Sequence, residues 1–156
     1  MERINILSAE SPERSAETPV RSLDVACAVG STETQMFLYD LAPGDASRYH
    51  YEYDEEWLLV VDGTVTLRDP DGEHTLRRGD LVRFPPGPAG AHRLMNRSES
   101  RARALMFSRS RAPCVVVYPD SDTLGVFFAD AANDTVFKRS AAVPWAEGDE
   151  DWYKAG

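Results

Sequence analysis

Cysteine is nearly absent. Cys27 and Cys114 are the two in 156 residues, and they stand in no Cys-x-x-Cys or metal-finger spacing, so neither a disulfide framework nor a zinc ribbon is expected. Two reduced, buried thiols are the plain reading. Long apolar runs are missing too: the longest, Trp57 to Val61, is far too short to span a bilayer. The stretch from Met1 to Val20 has no apolar core of a signal peptide, which points to a cytoplasmic protein. Basic charge is scarce, with 17 Lys and Arg against 26 Asp and Glu and a net charge of −9. That balance opposes nucleic acid and anionic membrane as partners, since both are bound by clustered cations. No Gly-x-Ser-x-Gly elbow, no Cys with a neighbouring His and no Gly-rich phosphate loop is present, so nucleophilic and nucleotide-dependent chemistry find no support.

What is present is a series of short β-prone runs cut by turns, in a chain with ten Gly, ten Pro and 42% apolar residues. The runs are Leu23 to Val29, Met36 to Leu41, Glu56 to Val61, Thr64 to Arg68, Leu81 to Phe84, His92 to Met95, Ala102 to Ser108 and Val115 to Tyr118. Such spacing predicts an all-β sandwich or barrel. Asp62-Gly63 between two apolar runs predicts a tight type I′ hairpin, and Asp69-Pro70-Asp71-Gly72 predicts a second turn. Residues 8–19 are polar and Pro-punctuated and read as a flexible segment. Residues 129–143 have room for a short helical turn. The expected organisation is a flexible arm at 1–20, a barrel at 21–118 and an extension at 119–156 that packs on the barrel.

Two stretches carry chemistry. Between Gly44 and Glu56 the side chains of His50, Glu52 and Glu56 share a parity, so an unbroken strand projects one imidazole and two carboxylates onto one face, which Leu58 and Val60 continue as an apolar wall. The opposite row, Tyr51, Tyr53, Trp57, Leu59 and Val61, is apolar as well, and is covered either by local chain or by a second subunit. Farther on, Phe84-Pro85-Pro86-Gly87-Pro88-Ala89-Gly90-Ala91 is a stiff loop that delivers His92 to the start of a strand. Two His and one carboxylate with open positions suit first-row divalent metals, non-haem iron in particular. His74, after a turn, reads as a solvated strand residue.

Together the stretches resemble the two motifs of the cupin superfamily. Gly44, His50, Glu52, Glu56 and Gly63 follow the first motif, with Glu52 where the family has its second His. Gly79, Pro85, Gly87, His92 and Asn96 follow the second, with two extra residues between Gly87 and His92. The resemblance implies a double-stranded β-helix, or jelly-roll cupin barrel, and assigns His50, Glu56 and His92 as metal ligands. Glu52 is either a further ligand or a catalytic base. Leu58, Val60 and Leu94 are the expected substrate-pocket residues. The implied cofactor is one divalent ion, Fe, Mn or Zn, with Ni possible.

The expected function is a metal-dependent enzyme of dioxygenase, isomerase or decarboxylase type acting on a small organic molecule. The alternative is a non-catalytic sensor or carrier using the same pocket. A homodimer is expected from the second apolar row.

Overall fold

The computed structural model describes residues 1–12 and 20–147. The strands are β1 (Arg21–Asp24), β2 (Thr34–Leu41), β3 (Tyr51–Glu52), β4 (Glu56–Asp62), β5 (Thr64–Asp69), β6 (Gly72–Arg77), β7 (Leu81–Phe84), β8 (Arg93–Met95), β9 (Ala102–Arg109), β10 (Cys114–Tyr118), β11 (Thr123–Phe127) and β12 (Thr135–Lys138), with one helical turn, α1 (Val25–Ala28). A five-stranded sheet runs β1-β2-β9-β4-β7, and two smaller sheets run β12-β11-β10-β3 and β6-β5-β8. Isolated antiparallel bridges at Ala46–Met95 and His50–His92 join the smaller sheets into one face. The architecture is the all-β jelly roll that the two motifs implied.

Side-chain alternation sorts the strands as expected. Glu56, Leu58 and Val60 of β4 turn inward, and Leu58 and Val60 join Leu41, Val65, Leu67, Phe84, Leu94, Ala102, Ala104 and Met106 in the core between the sheets. Each fully buried aliphatic side chain there contributes about 1.5–3 kcal/mol.

The opposite row is covered largely by the chain itself. Leu59, Val61 and Leu105 pack with Val25, Leu38 and Phe107 beneath Ile4, Ile6 and Ala9, and Trp57 stacks on Phe107. Tyr51 is buried against Ala91 and Val117, while Tyr53 is 57% exposed. The N-terminal residues are therefore docked rather than loose. Arg103 donates to the carbonyls of Ile6, Leu7 and Ala9 while paired with the buried Asp40. Ile4 and Ile6 supply the alternation that the polar stretch after them lacks. Residues 13–19 of the expected flexible segment lie outside the described residues.

Three local expectations change. Asp62-Gly63 is not a hairpin: β4 pairs with β7 and β9, β5 pairs with β6 and β8, and the dipeptide is where the chain crosses between sheets. Gly63 has φ +74°, and a Cβ there would stand 2.8 Å from the Arg101 carbonyl oxygen, so the crossing needs glycine. The tight hairpin is Asp69–Gly72 instead, where the Asp69 carboxylate accepts from the amides of Asp71 and Gly72. The run Leu23 to Val29 divides into β1 and α1, because the Asp24 side chain caps the Cys27 amide and starts a helical turn. Cys27 is exposed and Cys114 half-buried, both as free thiols. Of the extension expected at 119–156, residues 148–156 lie outside the described residues; β11 and β12 add to the edge of the sheet beside β10, with a short 3-10 turn at Ala131–Asn133, and residues 128–145 are all exposed.

Candidate metal centre

The site begins with two imidazoles on neighbouring backbone. His50 and His92 face each other across the bridge that seams the smaller sheets, and each has its Nδ1 tied to a main-chain carbonyl: His50 Nδ1–H donates to Arg48 O at 3.0 Å and His92 Nδ1–H to Gly90 O at 2.9 Å. With the proton on Nδ1, the lone pair of each ring is on Nε2. Phe84 stacks on the His92 ring, centroids 3.9 Å apart, and holds its plane.

The stiff loop explains the aim of His92. Its two extra residues are taken up in a 3-10 turn at Pro88–Gly90, which supplies the Gly90 carbonyl. A Cβ on Gly90 would lie 1.9 Å from Pro85 O, so only glycine closes this turn. Gly87 N donates to Glu52 O at 2.7 Å, tying the loop to β3. Asn96, the last motif position, is structural: its amide donates to Leu41 O and Ser100 O, and its oxygen accepts from Ser98.

The expected unbroken strand from His50 to Glu56 is interrupted between β3 and β4, yet Glu56 still joins the imidazoles. Ligand atoms of His50, Glu56 and His92 all lie within 4.8 Å of one another, and Glu56 Oε2 is 3.9 Å from His92 Nε2. His92 Nε2 is buried without a hydrogen-bond partner. Burial, then the nearby His50, lowers the His92 pKa to about 3, and burial lowers that of His50. Burial, then Glu52, raises that of Glu56. Two neutral imidazole nitrogens, one orphaned, and a desolvated carboxyl are a donor set that a divalent cation satisfies. The residues present fit a metal.

Glu52 stands apart from this trio. It lines the same pocket, accepts from Cys114 Sγ at 3.4 Å, and is pushed upward by burial. Its acidic neighbours are engaged elsewhere, Asp54 with Arg111 and Glu55 with Arg83 and Trp57. Exposed His74 pairs with Asp69.

The pocket, about 80 Å³, is lined by Gln35, Phe37, Tyr39, Ser47, His50, Glu52, Glu56, His92, Leu94, Met106, Phe107 and Ser108. Of the apolar wall expected from sequence, Leu94 is there. Leu58 and Val60 are instead packed in the core, 0% and 1% exposed, because the sheet behind β4 closes over them. Gln35, Phe37, Tyr39, Met106 and Ser108 were not legible as site residues. Their signal is only the period-2 alternation along β2 and β9, which pair Gln35 with Ser108 and Phe37 with Met106. The side chains of Gln35, Tyr39 and Ser108 make no hydrogen bond among the described residues. Burial, then Glu56 and Glu52, raises the Tyr39 phenol, which stays a donor.

Residues 37–108 match the family model described as Cupin domain. Among solved structures, a sugar phosphate isomerase from a cupin superfamily of Silicibacter pomeroyi is 25% identical, with 94% of this chain and 98% of that one covered at a TM-score of 0.75. A putative sugar phosphate isomerase from Acidithiobacillus ferrooxidans is 21% identical over 89% of this chain and 91% of that one, TM-score 0.77. A polyketide cyclase from Streptomyces resistomycificus is 16% identical over 73% and 83%, TM-score 0.61. No curated protein matches the chain. Among the described residues, no helix is long and apolar enough to cross a membrane.

Proposed function

The chain carries a cupin domain at residues 37–108, and on that premise we propose that it is a metal-dependent isomerase of small hydroxylated carbonyl compounds. The observation that carries this reading is the buried, orphaned His92 Nε2 grouped with His50 and Glu56. A divalent ion held there, Fe, Mn or Zn, supplies the Lewis acidity that polarises a carbonyl oxygen.

The rest of the chemistry belongs to the chain. Converting an aldose-like into a ketose-like compound moves one proton from the carbon beside the carbonyl to the carbonyl carbon, while the hydroxyl proton of the first carbon passes to the former carbonyl oxygen. Glu52, desolvated in the pocket wall and outside the ligand trio, is the group that carries the carbon-bound proton, its basicity raised by burial. Gln35, Tyr39 and Ser108 offer unpartnered hydrogen-bonding groups to substrate hydroxyls. Groups of this kind, set among Phe37, Leu94, Met106 and Phe107, suit a hydroxylated substrate. The similarity to a sugar phosphate isomerase at 25% identity supports the same class.

We infer a homodimer as well, on a different surface from the one sequence suggested. Phe128, Val136, Phe137 and Val143 are large exposed apolar residues in and around β12, the edge strand of its sheet, and a second copy of the chain is the partner we assign to them. Two free thiols accord with a cytoplasmic setting.

The test is wash-in of solvent deuterium at the carbon beside the carbonyl, followed by proton NMR on metal-loaded protein with aldoses, ketoses and their phosphates. Glu52→Gln should slow exchange about 10²–10⁴-fold with metal content unchanged. No exchange by wild type on any of these compounds sinks the isomerase reading.

A further inference from the structure

The pocket lies in a protein of net charge −9 with Glu52 and Glu56 in its wall. An anionic ligand is repelled there unless a cation is placed for it. Arg48 is such a cation. It stands two residues before His50. Its carbonyl oxygen is the acceptor for His50 Nδ1. The guanidinium carbon lies 5.5 Å from the centroid of the Tyr118 ring, and that ring lies 6.0 Å from the His50 ring. The Tyr118 phenol is a hydrogen-bond donor beside that guanidinium.

Three other arginines are committed. Arg68 is held by Asp120, Arg83 by Glu55 and Arg111 by Asp54, whereas no carboxylate among the described residues pairs with exposed Arg48. The two ring distances laid end to end are the greatest separation its guanidinium can have from the His50 ring, and Arg48 and Tyr118 stand beside His50 just outside the residues that line the pocket. We propose that Arg48 and Tyr118 form an anion subsite at the pocket mouth that takes the phosphate monoester of a phosphorylated sugar. The planar guanidinium matches two phosphate oxygens at once, and the phenol donates to a third. This rests on reading the site as an isomerase pocket, and it names the substrate class of that pocket.

Calorimetry on the metal-loaded protein tests it with fructose 6-phosphate, fructose, gluconate and inorganic phosphate. The phosphorylated sugar should bind about tenfold or more tighter than fructose, a difference of about 1.4 kcal/mol. Arg48→Gln should bring the two close to equal without loss of metal, Arg48→Lys should keep part of the preference, and Tyr118→Phe should lose less than Arg48→Gln. An undiminished phosphate preference in Arg48→Gln, or none in wild type, overturns the subsite, and tighter binding of gluconate overturns its assignment to phosphate. Inorganic phosphate alone separates this idea from the isomerase reading: binding that Arg48→Gln abolishes supports the subsite even where no deuterium exchange is seen. Exchange that survives Arg48→Gln with an unchanged KM for the phosphorylated sugar leaves the isomerase standing and removes the subsite.

Discussion

His50 and His92, far apart in sequence, are hydrogen-bonded to each other through both backbone groups, His50 N to His92 O at 3.0 Å and His92 N to His50 O at 2.8 Å, with ring centroids 4.5 Å apart. The seam between the two smaller sheets and the pair of metal donors are therefore one feature. Anything that opens the seam misplaces both imidazoles.

Metal content should follow this pairing. Wild type purified with iron, manganese or zinc supplied is expected to hold about one ion per chain, and His92→Ala and His50→Ala to lose most of it. Elemental analysis beside melting curves reads the result. Wild type free of metal, with both variants melting no lower than it does, would reduce the trio to a structural relic.

Acid should destabilise the metal-free protein between pH 6.5 and about pH 3. Unfolded His92 takes up a proton near its ordinary 6.5, but the folded one stays neutral until about 3. In that window the unfolded state binds more protons, so stability is present above 6.5 and falls as pH falls. His50 adds in the same direction. Melting temperature against pH should be flatter for His92→Asn than for wild type; equal slopes count against it.

Gly63→Val should weaken folding by at least about 1 kcal/mol, because positive φ resists a β-branched residue. The overlap of the new Cβ with Arg101 O and Ala102 adds to that. Denaturant midpoints give the value, and an unchanged midpoint would contradict the sheet crossing described here.

Light scattering at tens of micromolar should give the mass of two chains, and Phe137→Asp, on the fully exposed strand β12, should shift the protein toward monomer. A monomeric wild type ends the dimer inference.

Much of this was readable from the residues in order. Turn-punctuated alternation marks an all-β chain because period-2 side-chain geometry is local, and the parity of Glu56, Leu58 and Val60 survived the break before β4 because β4 keeps its own register with β9. The spacings around His50, Glu56 and His92 were legible too, since a stiff loop and a strand start are short-range features. The partners of each strand were not. Whether Asp62-Gly63 turns a hairpin or crosses between sheets depends on which strands hydrogen-bond to β4 and β5, and those come from distant parts of the chain. The same holds for Leu58 and Val60, sealed into the core by the facing sheet, and for Gln35, Tyr39 and Ser108, brought to the pocket by the pairing of β2 with β9. Sequence determined which residues have the chemistry to bind a metal; the tertiary structure decided that His50, Glu56 and His92 meet while Glu52 stands beside Cys114, because only long-range backbone pairing places their side chains in one volume.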